Sequence, residues 1–272
     1  MIKLYVEILS VLQRAFALLE SKIDKPAFVN RGSYKVFRYE KQSIEAAVIQ
    51  KLARVISGLH ASLLLLHGGF VQELGVIFRT MDEFNEDILF LCQAIRTGEV
   101  TELHRKYLEV FYQEEFDEPD NPFLSEQKRS TIPRRKIHAA IANIPETTLN
   151  PSDGKEVYRT LSQAYSGYIH GASVHIMDMY GGNPARFHVA GMLKTPRMKE
   201  STADMWNYFY RGLISTMMVA LSFKENELLN KLYSFRDYFE EKSGKTKWDK
   251  PENKIKNLKK KNAQQKNRGD RD

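Results

Sequence analysis

The sequence predicts an all-α fold, a helical bundle of about six helices, on three observations. Apolar residues recur at spacings of three and four through most of the chain, and no alternation of strand and helix patterns of the βαβ kind interrupts them. With 272 residues and 42% apolar side chains, the chain can bury one large core. The expected organisation is a single α-helical domain over 1–240, followed by a disordered lysine-rich tail over 241–272.

The first helix is expected over 2–20, where Ile2, Tyr5, Ile8, Leu9, Leu12, Phe16 and Leu19 share a face. Pro26 and Gly32 mark a loop, and the alternating segment Tyr34–Tyr39 reads as a short extended piece. Helical spacing resumes near Lys41, runs through Ile44, Val48, Leu52, Val55, Leu59 and Leu63, and stops at Gly68-Gly69. A third helix, about 70–96, carries Leu74, Ile77, Met81, Phe84, Ile88, Leu91 and Ile95 on one face. Its opposite face holds Arg79, Glu83 and Glu86; the i,i+4 pair Arg79/Glu83 has the ordinary reading of a surface ion pair.

A helix near 101–114 leads into the acidic stretch Glu114–Pro122, which lacks the alternating ligands and central glycine of a calcium loop and reads as a solvated loop. Residues 126–143 carry the basic cluster Lys128-Arg129 and Arg134-Arg135-Lys136, expected on a solvated face, with phosphate contact as the sharper reading.

A long central helix is predicted over about 154–180. Asp153 and Glu156 have the spacing of an N-terminal cap, and Gly181-Gly182 with Pro184 supplies a stop. Over about 40 Å this helix would place Val157, Leu161, Ala164, Tyr168, Ala172, His175 and Met179 on a core face. Arg159, Gln163, Ser166, His170 and Ser173 would form the opposite, polar stripe. Gly167 and Gly171 inside that helix each cost about 1 kcal/mol relative to alanine, so something is expected to approach closely there. Residues 186–199 read as a long loop or small hairpin, and 202–240 as a last long helix whose aromatic content predicts packing along its length.

All the excess positive charge lies in the tail. Residues 241–272 hold 12 Lys/Arg against 5 Asp/Glu, which leaves 29 against 29 in the rest. RNA or the ribosome is the expected partner of that tail, and the neutral body argues against a broad groove for duplex nucleic acid. No apolar run approaches the roughly 18 to 20 residues of a membrane span, no signal-peptide pattern opens the chain, and the single Cys92 excludes an internal disulfide. A cytoplasmic protein is expected.

Phosphate-binding glycine motifs and the G-x-S-x-G serine motif are absent, and His170 and His175, five apart, do not share a helix face for a metal. No metal and no cofactor are expected. His175 reads as a hydrogen-bonded core histidine. His170 shares its stripe with Arg159, Ser166 and Ser173, and a histidine beside an arginine can move a proton while the cation steadies developing negative charge, as metal-free RNA cleavage requires.

The segments Arg79-Thr-Met-Asp-Glu83 and Tyr158-Arg-Thr-Leu-Ser-Gln-Ala-Tyr-Ser-Gly-Tyr-Ile-His-Gly171 together resemble an uncharacterised bacterial branch of the HEPN-like helical-bundle superfamily, over residues 45–180. The resemblance implies a helical bundle, often dimeric. Its better-known relatives are metal-independent endoribonucleases of toxin and antiviral defence systems, and others are catalytically dead binding or assembly modules. On that resemblance His170 would be the acid/base, Arg159 or Arg79 the phosphate-stabilising cation, Glu83 an orienting partner and Ser166 a hydrogen-bond donor. The chain departs from the nuclease pattern of Arg-x(4–6)-His, since ten residues separate Arg159 from His170; Arg54-x5-His60 fits the spacing, with Val55 where a polar residue is usual. The expected function is therefore an RNA-directed endoribonuclease or RNA-binding component, or alternatively a non-catalytic helical interaction protein acting as a homodimer.

Overall fold

The computed structural model describes residues 1–143 and 165–249. Nine α-helices and two small antiparallel hairpins occur among the described residues, so the fold is mostly helical rather than strictly all-α. Helix α1 spans Ile2–Glu20. The hairpin β1 (Ala27–Arg31) and β2 (Tyr34–Arg38) follows, in the register Phe28↔Phe37, turning at Gly32 with φ 59°. The extended piece expected at Tyr34–Tyr39 is thus one strand of a pair. The acidic loop is pinned to this hairpin: Ser33 N–H donates to Asp120 at 2.8 Å and Arg38 pairs with Glu114.

Helix α2 (Ile44–Gly68) starts where the Ser43 hydroxyl accepts from Ala46 N–H at 3.1 Å, satisfying one of the unpaired first-turn donors. It ends on Gly69, left-handed at φ 75°. There Phe70 N–H reaches Leu65 O at 2.9 Å and Gly69 N–H reaches Leu66 O at 3.0 Å, the paired bonds of a Schellman stop. Helix α3 (Val71–Thr97) stops at Gly98, and α4 (Glu102–Tyr112) starts with a capping box between Thr101 and His104. Helix α5 covers Arg134–Ala142.

The central helix is corrected by its described half. Over 165–182 there are two single turns, α6 (Ser166–Ile169) and α7 (Ser173–Ile176), then a 3-10 turn and the two-residue strand β3 (Tyr180–Gly181). The chain leaves α6 at Gly171, φ 61°, with Ala172 N–H on Gly167 O at 2.9 Å. Gly171 is a stop, not a tolerated interior glycine. The other glycine is there for packing, because a Cβ at Gly167 would lie 1.9 Å from the His175 ring. Residues 153–164, the expected first half of that helix, lie outside the described residues.

Strand β4 (Arg186–Phe187) pairs with β3, so the hairpin spans 180–187 and begins at the end of the expected central helix rather than within 186–199. Helix α8 (Pro196–Ser222) and α9 (Asn226–Ser243) replace the single last helix. They separate at Lys224, φ 60°, through the same stop as at Gly69: Glu225 N–H bonds Ala220 O at 2.9 Å and Lys224 N–H bonds Leu221 O at 3.1 Å. Lysine in the left-handed position gives no sequence signal for this break. The tail expected to be disordered lies outside the described residues from position 250 onward.

Helices α1, α2, α3, α8 and α9 build the core, with α2 against α1, α3 and α8. By length and composition α2 could cross a bilayer, but here it is a helix of the bundle interior, its residues Ala47, Val48, Leu52, Val55 and Leu59 fully buried. Aromatic residues of α8 seal the centre: Phe209 stacks on Tyr5 at 4.4 Å, Tyr208 on Phe78 at 3.8 Å, and Trp206 lies between Tyr210 and Phe239. The aromatic packing expected along 202–240 is present in α8 and at Phe239, whereas Tyr233 and Tyr238 of α9 are exposed. Gly212 lets α2 approach, since a Cβ there would meet Leu59 at 2.7 Å.

Candidate functional site

Four carboxylates stand on one side of α3 at positions i, i+1, i+4 and i+5: Asp82, Glu83, Glu86 and Asp87. Helical geometry aligns them as a ribbon, and three of them, Asp82, Glu86 and Asp87, are buried. The three buried ones are met by cations from other helices, and Glu83 pairs with Arg79 on α3 itself.

From α5, Arg134 grips Glu86 and Asp87 together, and its guanidinium also donates to Glu83 O at 3.3 Å. One turn later His138 Nε2 lies 3.0 Å from Glu86 Oε2. From α2, Lys51 meets Asp87 at 2.9 Å, its ammonium standing 5.1 Å from the Phe84 ring and 4.9 Å from the Phe111 ring, within cation–π range. From α8, Arg211 pairs with Asp82, to which Tyr208 also donates at 3.2 Å. Ser215 closes the network by donating to Asn85 at 2.6 Å.

Burial and pairing compete at each carboxylate. At Asp82 burial wins and pushes the carboxyl up to about 7, with Arg211 only partly offsetting it. At Glu86 burial also pushes upward, but the His138 hydrogen bond and the Arg134 charge together outweigh it and hold the carboxyl below the usual range. The buried Cys92 thiol is pushed up to about 12 by desolvation, which removes it as a thiolate nucleophile.

No family model, no curated protein and no solved structure matches the chain. The reading of the site therefore rests on its geometry.

Arg79 and Glu83 form the expected i,i+4 ion pair, at 2.7 Å, with the Arg79 side chain only 13% exposed. Glu83 is the least buried member of the ribbon, and the Arg79 charge is felt at Asp82. Ser166 begins α6, half-buried, and its carbonyl accepts from the His170 N–H at 3.3 Å. His170 is exposed at the end of α6, and among the described residues its side chain meets no hydrogen-bond or ion-pair partner. No described hydrogen bond or ion pair joins it to Arg79. Arg159 lies outside the described residues.

The expectation that the α3 face and the Ser166–His170 segment are neighbours has a structural counterpart one turn earlier on α3. The Tyr168 ring covers Gly75, where a Cβ would lie 2.8 Å from it, and Tyr165 meets Phe78 edge-on at 5.7 Å. Tyr165 and Tyr168 then donate to Asp204 at 2.9 Å and Asp178 at 3.2 Å. His175 is half-buried rather than the expected hydrogen-bonded core histidine: its ring packs 4.4 Å from Tyr168, and its hydrogen bond, from Gln72 at 2.7 Å, is to the backbone carbonyl.

Arg134 and His138 are the residues that sequence reasoning missed. Arg134 belongs to the basic cluster expected on a solvated face, yet it is the bridging cation of a buried network. The available signal was the doubled acidic pattern Asp82-Glu83 and Glu86-Asp87 among apolar residues of α3, which demands cations from elsewhere in the chain. Among the described residues no group of three or more His, Cys, Asp or Glu is placed to hold a metal ion.

Proposed function

We propose that this chain is a non-catalytic helical interaction protein that pairs with a second copy of itself through the outward face of residues 169–189. One observation carries the reading. Ile169, Val174, Ile176, Phe187 and Val189 are 42% to 77% exposed on short elements docked against the bundle. Apolar side chains concentrated in one exposed segment are costly in water and mark interaction surfaces. The state of the arginines points the same way. Arg79, Arg134 and Arg211 each face a carboxylate, whereas stabilising a phosphate in cleavage requires a cation available to the substrate. The HEPN-like resemblance includes such assembly modules and supplies the expectation of a homodimer.

Light scattering tests it. A mass of two chains is expected, falling to one in Val174→Asp/Val189→Asp with the fold intact. A wild-type chain that stays monomeric at high micromolar concentration would sink the proposal.

A second reading, a metal-independent endoribonuclease of a cytoplasmic toxin or defence system, is favoured by His170. This exposed imidazole, without a side-chain partner among the described residues, has the availability an acid/base needs, with Arg159 as its cation and the basic residues of 241–272 holding RNA. Incubating the protein with RNA in EDTA decides it: cleavage lost in His170→Ala supports the nuclease, and equal or absent cleavage in both proteins removes it.

A further inference from the structure

A cavity of about 490 Å³ lies between the turn and strand at 177–182 and the segment 188–200 that enters α8. Its size falls in the range of small-molecule sites. Met177 and Tyr180 line one side, and Met192 and Leu193 the other. Two thioethers and an aromatic ring around a gap suit an aromatic body, because methionine sulfur packs well against ring edges.

The charges in the lining divide into committed and uncommitted groups. Asp178 is held by Arg197 and by the Tyr168 hydroxyl, and Arg197 also holds Glu200 at 2.6 Å, so one guanidinium engages both carboxylates and the trio keeps one net negative charge. His188 is engaged through Nε2 with Gly181 O at 3.2 Å. Lys194 is different. It lines the cavity, is exposed, and engages no carboxylate among the described residues.

We propose that this cavity is a binding site for a small amphipathic anion, an aromatic or otherwise apolar body seated between Tyr180 and the two methionines, with its single carboxylate or phosphate on Lys194. The lining shares Met177, Tyr180 and His188 with the segment proposed to pair, while Ile169, Val174, Ile176, Phe187 and Val189 do not line it. It does not involve His170.

Two substitutions suit a test because the backbone tolerates them. Lys194 has φ 65°, a conformation glycine adopts without strain, so Lys194→Gly removes the ammonium while relieving the backbone. A Cβ at Gly181, a lining residue, meets nothing within 4 Å, and Gly181 is not among the positive-φ glycines, so the backbone tolerates Gly181→Leu, which adds bulk at the cavity wall.

Calorimetric titration of the full chain with phenylbutyrate, and with phenylbutylamine and phenylbutanol as matched cationic and neutral probes, reads the outcome. Phenylbutyrate is expected to bind at least tenfold more tightly than the amine. Lys194→Gly is expected to weaken phenylbutyrate about tenfold and leave the alcohol unchanged, a loss equivalent to about 1.4 kcal/mol. Gly181→Leu is expected to abolish binding of all three, with thermal melting confirming that both variants fold. Absence of phenylbutyrate binding, equal binding of acid and amine, or full binding by folded Gly181→Leu each overturns the proposal.

Discussion

The ribbon on α3 and the segment 165–193 treat polarity in opposite ways. The ribbon buries Asp82, Glu86 and Asp87 and supplies each with partners from α2, α5 or α8. The segment exposes Val174 and Val189, 73% and 77%, and docks through Tyr165, Tyr168 and His175. Buried pairs are rigid because every member depends on the others, whereas a few aromatic contacts leave their remaining surface to other uses. The difference locates structural commitment in the first region and leaves the second as the surface proposed to pair.

The sharpest way to break this comparison is Arg134→Met. It removes the cation that Glu86 and Asp87 share and leaves them His138 and Lys51 alone; removing one partner of a buried pair costs about 3–5 kcal/mol, and the remaining partners put the loss at the lower end. Denaturant unfolding measures it. A loss below about 1 kcal/mol would show the ribbon to be solvated and open to substrate, reviving it as a catalytic site.

Acidity probes the same region. Asp82 titrates near 3.8 when unfolded and near 7 in the fold, so protons bind the folded state more tightly. The contribution of Asp82 is fully present below about pH 4 and is lost as pH rises through 7, on the order of a few kcal/mol across that window. Glu86 has the opposite sign: held below its ordinary value, it stabilises above about pH 4.5 and loses that contribution on acidification. Asp82→Asn should flatten the decline between pH 4 and 7, read as denaturation midpoint against pH, and an unchanged slope would remove Asp82 as its source.

Docking of the segment should be weaker. Gly167→Ala forces the His175 ring aside, an overpacking cost of about 1–3 kcal/mol, and Gly171→Ala strains a left-handed residue for about 1 kcal/mol. Hydrogen exchange over 165–182 should rise in both variants while the α2 and α3 amides stay protected. Equal loss of protection in α3 would mean that the segment belongs to the core unit.

Three of the helix stops show what was legible and why. Gly69, Gly171 and Lys224 all take the left-handed conformation, with a bond running back from the following residue. Gly69 follows a clean apolar period and was readable as a stop. Gly171 was visible but ambiguous, because an apolar period can be drawn through it to Met179 and glycine inside a helix has the competing meaning of close approach, which holds for Gly167. Lys224 was invisible, since the side chain does not announce the conformation. The aromatic face of α8 was readable from composition, its bend into α9 was not. At the candidate site, Arg79/Glu83 was readable because both partners lie on one helix. The pairing of Arg134 with Glu86 joins residues 48 apart and is fixed only by the packing of α5 on α3.

The smallest expected effect on stability is the most discriminating for function. Val174→Asp places a charge on a side chain that is 73% exposed, where no buried contact is lost, so unfolding free energy should stay within about 0.5 kcal/mol of wild type. If the segment is an interface, the same change introduces an unpaired carboxylate into a desolvated contact on both copies, and pairing should weaken by two orders of magnitude or more. Sedimentation equilibrium alongside urea denaturation separates the two quantities. A variant that unfolds early and remains paired would place Val174 inside the folded body and reverse the assignment of the two regions.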